Sequence, residues 1–210
     1  MTLVERIQKL KAKKGFTLVE LIVVIAILAI LMAILIPTML NFTEDAKITS
    51  ANNTATQIRT NTNSWLTKLD TAGTPLKNIS NVSADVKHIT LTVGAKGEWE
   101  ASDKTTLLKG DFKGELSKNP ETLLKEYLEG VLSDLKNTSV RIFFNEGKVL
   151  GVCAVPAGDD STFPGANIFT DDGYDEWVDE KPGKFKSGNE VIIVGCAPEV
   201  GYKAAATSED

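Results

Sequence analysis

Apolar side chains are unevenly spread along the 210 residues of this chain. Phe16 to Ile36 is a 21-residue segment with one charge, Glu20, and Leu21 to Ile36 carries no polar side chain. About 20 apolar residues rising 1.5 Å each span the roughly 30 Å hydrocarbon core of a bilayer, so this segment predicts a membrane-crossing helix. Pro37 lacks a backbone N–H and clashes with the preceding turn, so a kink or local melting is expected there. Beyond it, Ala46, Ala51, Ala55, Ile58, Thr62, Trp65 or Leu66, and Leu69 recur at steps of three and four, a narrow apolar stripe on one helix face. Thr49 to Ser64 is rich in weak helix formers, but burial of the stripe against a sheet overrides propensity. Gly73-Thr74-Pro75 is a stop signal. A helix from Phe16 to about Leu69 would be roughly 80 Å long.

After that helix the period changes. Val86 to Val93 alternates and puts Ile89, Leu91 and Val93 on one face of a strand. Asn119-Pro120 opens a second helix, with Leu123, Leu124, Tyr127, Leu128, Val131, Leu132 and Leu135 as its apolar face. Val140–Phe144 and Val149–Val155 flank Asn145-Glu146-Gly147-Lys148, the clearest hairpin signal in the chain. Val191 to Gly195 reads as a short buried strand. These elements predict an α+β fold: a long amino-terminal helix laid on an antiparallel sheet, with an extra amphipathic helix. The polar part, about 165 residues, suffices for one modest core and not two.

Composition alone would suggest an ordinary mildly acidic domain, with 42% hydrophobic residues, 24% charged and a net charge of −5. Its charge is segregated, however. The first 15 residues hold Arg6, Lys9, Lys11, Lys13 and Lys14 against one Glu, and the rest carries 18 Lys and Arg against 27 Asp and Glu. No basic face remains to neutralise phosphates, which argues against a nucleic-acid binder. The basic leader holds its end of the apolar segment on the cytoplasmic side. A cleaved secretory signal fits poorly, because a carboxylate within the apolar region costs roughly 2.5–3.5 kcal/mol and no small-x-small pair follows it. A plain anchor explains the length but not Glu20.

Gly15-Phe16-Thr17-Leu18-Val19-Glu20, after a Lys-rich leader and before an unbroken apolar run and Pro37, resembles the class III signal of type IV pilins and type II secretion pseudopilins. The resemblance covers roughly the first 50 residues. It implies a pilin-like roll with three parts: a cleaved leader (1–15), a transmembrane and polymerising half-helix (16–44) and a soluble head (45–210). It implies that a prepilin peptidase cuts between Gly15 and Phe16 and N-methylates Phe16. Glu20 would pair with the amino group of Phe16 on a neighbouring subunit and set register, and helices would loosen at Pro37 during packing. The implied partners are sister pilins, the peptidase, an assembly platform with its ATPase, and the membrane. The implied location is the bacterial cytoplasmic membrane, crossed once with the amino terminus inside, and afterwards a surface pilus supporting adhesion or motility. A pseudopilin of a secretion or DNA-uptake machine shares every one of these amino-terminal residues. A membrane-tethered adhesive or ligand-binding head is the reading from another class.

Export permits a bridge between Cys153 and Cys196, and in pilins a carboxy-terminal pair often staples a surface loop. Closing the 42 intervening residues would be worth roughly 4 kcal/mol in the chain-entropy model. Two reduced, buried cysteines are the alternative. From Asp159 to Glu180 there are eight acidic residues and no Lys or Arg. Asp171, Asp172, Asp175 and Glu176 around Gly173 are of the oxygen-ligand type that suits calcium, which some pseudopilins bind, although the spacing is not that of an EF-hand. A solvated acidic loop is the plainer reading. His88 lies in an alternating strand, Trp65, Trp99 and Trp177 are scattered, and no nucleophile elbow or phosphate-cradling glycine loop occurs, so no enzyme is expected.

Overall fold

The computed structural model describes residues 15–73, 87–101, 120–145, 148–156, 162–169 and 174–203. The chain divides into two compact units, Met1–Asp45 and Ala46–Asp210. One helix, α1 (Leu18–Thr71), contributes to both. The basic leader and the Thr74-Pro75 part of the stop signal lie outside the described residues, whereas Gly73 has the positive φ that ends the helix.

In the first unit, every side chain from Phe16 to Thr43 is exposed. This part of α1 has a mean hydropathy of 3.3 over its most apolar window, long and apolar enough to cross a membrane. The helix is unbroken at Pro37, so local melting is not seen in the isolated chain. The Thr38 hydroxyl folds back onto the carbonyls of Ile34 and Leu35, one turn earlier.

The second unit is built on a five-stranded antiparallel sheet ordered β2-β1-β3-β4-β7. Its strands are β1 (Lys87–Val93), β2 (Trp99–Ala101), β3 (Thr138–Asn145), β4 (Lys148–Pro156) and β7 (Gly195–Ala197). The register pairs Asn145 with Lys148, so the expected tight hairpin joins β3 to β4, with Glu146 and Gly147 themselves outside the described residues. Ile89, Leu91 and Val93 are buried on one face together with Val140, Ile142, Phe144, Val152 and Ala154. Against that face lie Ala55, Ile58, Trp65, Leu66 and Leu69 of α1, and Leu124 and Leu128 of α2 (Pro120–Val131). The predicted stripe is therefore the buried one, except that Ala46 is exposed and Ala51 only half-buried. Val131, expected on the apolar face of α2, is 46% exposed because the helix ends there.

The opposite face is buried as well, which corrects the expectation of a single core. Phe143, Cys153, Val155 and Cys196 lie under a second apolar cluster formed by Phe163, Ile168, Tyr174, Trp177 and Val194. The sheet is thus the middle of three layers. A second correction concerns Val191 to Gly195. This run is not one buried strand. Glu190–Ile193 (β6) pairs with Lys184–Ser187 (β5) in a separate two-stranded sheet, with Val191 51% exposed, and the chain then turns at Val194 into β7. A four-residue apolar run reads the same in either setting.

Candidate functional site

The start of α1 is capped by its own sequence. The backbone N–H and the hydroxyl of Thr17 both donate to Glu20 Oε2, at 2.8 and 2.7 Å. In return the Glu20 N–H donates to Thr17 Oγ1 at 3.2 Å. This is a capping box, T-x-x-E, in which donors left over at the helix start are satisfied reciprocally. The carboxylate also lies at the positive end of the helix dipole. Thr17 escaped the sequence reading although its spacing to Glu20 is the signal. Phe16, next to it, is 86% exposed, and a Cβ placed on Gly15 would meet nothing within 4 Å. The Gly15–Phe16 bond therefore stands in open space beside the capped carboxylate.

On the far face of the sheet, register brings four residues into one row across four strands. Thr90 faces Arg141, Arg141 faces Cys153, and Cys153 faces Cys196. Arg141 donates through Nε to Thr90 Oγ1 at 3.1 Å, and its guanidinium lies 4.5 Å from the centre of the Phe163 ring. Both cysteines are buried and reduced, with sulfurs 3.7 Å apart. Burial pushes the Cys153 thiol well above its ordinary pKa, with a contribution from the Cys196 thiol and opposition from Arg141. The Cys196 N–H points away from β4 and donates to Asn52 Oδ1 at 2.8 Å. The cysteines hence face each other as a non-hydrogen-bonded pair, the closer of the two antiparallel spacings at about 4.5 Å between Cα atoms.

Asn52 sits on the Thr- and Asn-rich part of α1 and closes the free edge of β7, where an unpaired N–H would otherwise be exposed to another strand. Close by, Gly195 lies so near the α1 backbone that a Cβ there would run into the Ala51 carbonyl and the Asn52 nitrogen. No periodicity in the sequence marks either residue.

The acidic loop is only partly among the described residues: Asp171, Asp172 and Gly173 fall outside them. Glu176 accepts a 2.7 Å hydrogen bond from the Tyr174 hydroxyl, and the Tyr174 ring meets Trp177 edge-on at 5.1 Å between centroids. Burial, and then that carboxylate, pushes the Tyr174 phenol above its ordinary pKa. Among the described residues no group of three metal-type ligands occurs. His88 packs on Phe143 at 5.8 Å, an ordinary place for a strand imidazole.

Residues 10–36 match the prokaryotic N-terminal methylation motif, the class III signal of type IV pilins and pseudopilins. The motif supports a place in that pilin-like class, which is structural rather than enzymatic, and the long helix on an antiparallel sheet agrees with a pilin fold. With the apolar half of α1 it points to membrane anchoring. No solved structure matches the chain.

Proposed function

We propose that this chain is the precursor of a type IV pilus subunit, cut between Gly15 and Phe16 and polymerised through α1 with its head displayed outside the cell. The observation that carries this reading is the methylation motif running directly into a helix that is apolar and, among the described residues, fully exposed from Phe16 to Thr43. Within the bilayer that surface is solvated by lipid, and on assembly it is covered by sister helices. Residues 16–44 then form the polymerising stem, and Pro37 is where its helix loosens during packing. Mass spectrometry of assembled protein should find N-methylated Phe16 as the amino terminus. An intact Met1, or a cut beyond Ile36, sinks the proposal. Filaments on the cell surface with this chain as bulk component separate a pilin from a secretion pseudopilin.

In the exported head the facing thiols close to a disulfide, each losing its hydrogen to an exported thiol oxidase. The bridge fastens β7, and with it the 42 residues after Cys153, to the centre of the sheet. Its expected value is roughly 4 kcal/mol by loop closure. Protein denatured without reductant should resist alkylation and weigh two hydrogens less than the reduced form. Two freely alkylated thiols under those conditions refute the bridge.

A further inference from the structure

The two cysteines are held very differently. Cys153 lies inside the sheet, with β3 on one side and β7 on the other. Cys196 is the central residue of β7, a strand of three residues at the sheet's edge. Because the two face each other as a non-hydrogen-bonded pair, the main-chain groups of Cys196 point away from β4. The pairings that flank it run through Gly195 and Ala197, to Ala154 and Val152. A disulfide tolerates little error in the separation and direction of its two Cβ atoms. The position of the Cys196 sulfur thus depends on what meets its strand from outside.

What meets it is Asn52. Its Oδ1 accepts the Cys196 N–H at 2.8 Å, and its Nδ2 donates to Glu199 Oε1 at 3.4 Å, which orients the amide. Asparagine is a poor helix former, and this one stands well inside α1, so its presence there is a local cost offset by the contact. A groove of about 200 Å³ counts Asn52, Cys196 and Glu199 in its lining, so this edge is not packed shut by apolar side chains. Beside Asn52, the Ala51 main chain lies against Gly195, so α1 approaches β7 closely on the residue before the cysteine too.

We infer that Asn52 is the positioning residue of the Cys153–Cys196 bridge: its amide oxygen fixes Cys196 where the two thiols can close. The inference rests on the bridge proposed above and names the residue outside the pair that favours it. On closure one S–S bond forms between the cysteines and one breaks in the oxidant, whose two sulfurs leave as thiols with the two hydrogens. Both sulfurs lie beneath Phe163, Ile168, Tyr174 and Trp177. Rates of closure therefore report the opening of that layer, whereas the redox equilibrium reports the placing of the pair.

The test is the equilibrium of the full chain in detergent against mixtures of reduced and oxidised glutathione. Asn52→Leu has similar bulk, removes the acceptor and keeps water from replacing it. It should lower the effective concentration of the two thiols at least about tenfold. For this two-electron couple that raises the reduction potential by about 30 mV. Asn52→Asp keeps an oxygen for the Cys196 N–H and should stay within about threefold of the parent. An asparagine that merely supported the fold would stabilise reduced and oxidised heads alike and leave this equilibrium unmoved. A parental potential for Asn52→Leu, or an Asn52→Asp as displaced as the leucine, overturns the inference while the bridge stands. Combined with Cys153→Ser and Cys196→Ser, Asn52→Leu should still melt cooperatively above the temperature of the titration. Failure to fold there also overturns the inference, since the residue would then hold the head and not the pair. If the parent keeps two thiols in oxidised glutathione, the bridge itself falls and the positioning role with it.

Discussion

Glu20→Val in the full-length chain is expected to be cut and inserted like the parent and to give essentially no filaments. Removing the carboxylate favours insertion, since a charge in the apolar region costs roughly 2.5–3.5 kcal/mol. The loss of the capping box is worth only about 1 kcal/mol and leaves the rest of α1 intact. In the assembly proposed above, what disappears is the partner for the Phe16 ammonium of the neighbouring subunit. Breaking a buried charge pair costs about 3–5 kcal/mol, enough to lower pelleted filament by more than about a hundredfold. Glu20→Gln separates the two roles, because glutamine at this position still serves a capping box but carries no charge. It should fail in assembly nearly as completely as valine. Parental filament yield from the Gln variant, measured against total processed protein, would remove the charge pair from the account.

The second large effect is expected in the head. Gly195→Ala puts a methyl into the Ala51 and Asn52 backbone, which cannot rotate away as a side chain can. Either α1 lifts from the sheet or β7 leaves β4, and with it go the pairings of Val152 with Ala197, Cys153 with Cys196 and Ala154 with Gly195. A loss of about 3 kcal/mol or more is expected, or roughly 10 °C in the melting temperature. Gly201→Ala, with open space around its Cβ position and an ordinary φ, is the matched control and should melt with the parent. A Gly195→Ala protein melting within about 2 °C of the parent would show that this close approach is not kept in solution.

Much of the fold could be read from residue order because two periods coincide with two kinds of burial. The three- and four-residue steps of Ile58, Thr62 and Leu69 mark the sheet-facing side of α1, and the turn residues before Lys148 fix the β3–β4 register. The covered far face was hidden by its polarity. Thr90, Arg141 and Ser139 are the buried polar side chains there, and in alternation with Ile89, Val140 and Ile142 they imitate a strand with one wet side. The clue lay in Val149 to Val155, where neither alternate set is polar, as expected for a strand covered on both faces. The β5–β6 hairpin was announced by Gly188-Asn189, a two-residue turn between Ser187 and Glu190 that the apolar run after it obscured. In the candidate site, the motif that holds Gly15, Phe16 and Glu20 was legible because it is local in sequence. Asn52 and Gly195 were not, since each matters only through a contact about 144 residues away along the chain.

The same contact bears on mechanics. In the pilus proposed above, tension on the fibre would reach each head along α1. From Ala51 and Asn52 it passes to Gly195 and Cys196 through main-chain atoms and one short hydrogen bond, with no long flexible side chain in series. From Cys196 it crosses to Cys153 at the middle of β4. Force thus enters the sheet at a stiff joint beside the cysteine pair, and a closed bridge would be the first covalent link to carry it. A reduced head should yield at lower force than an oxidised one when single filaments are stretched.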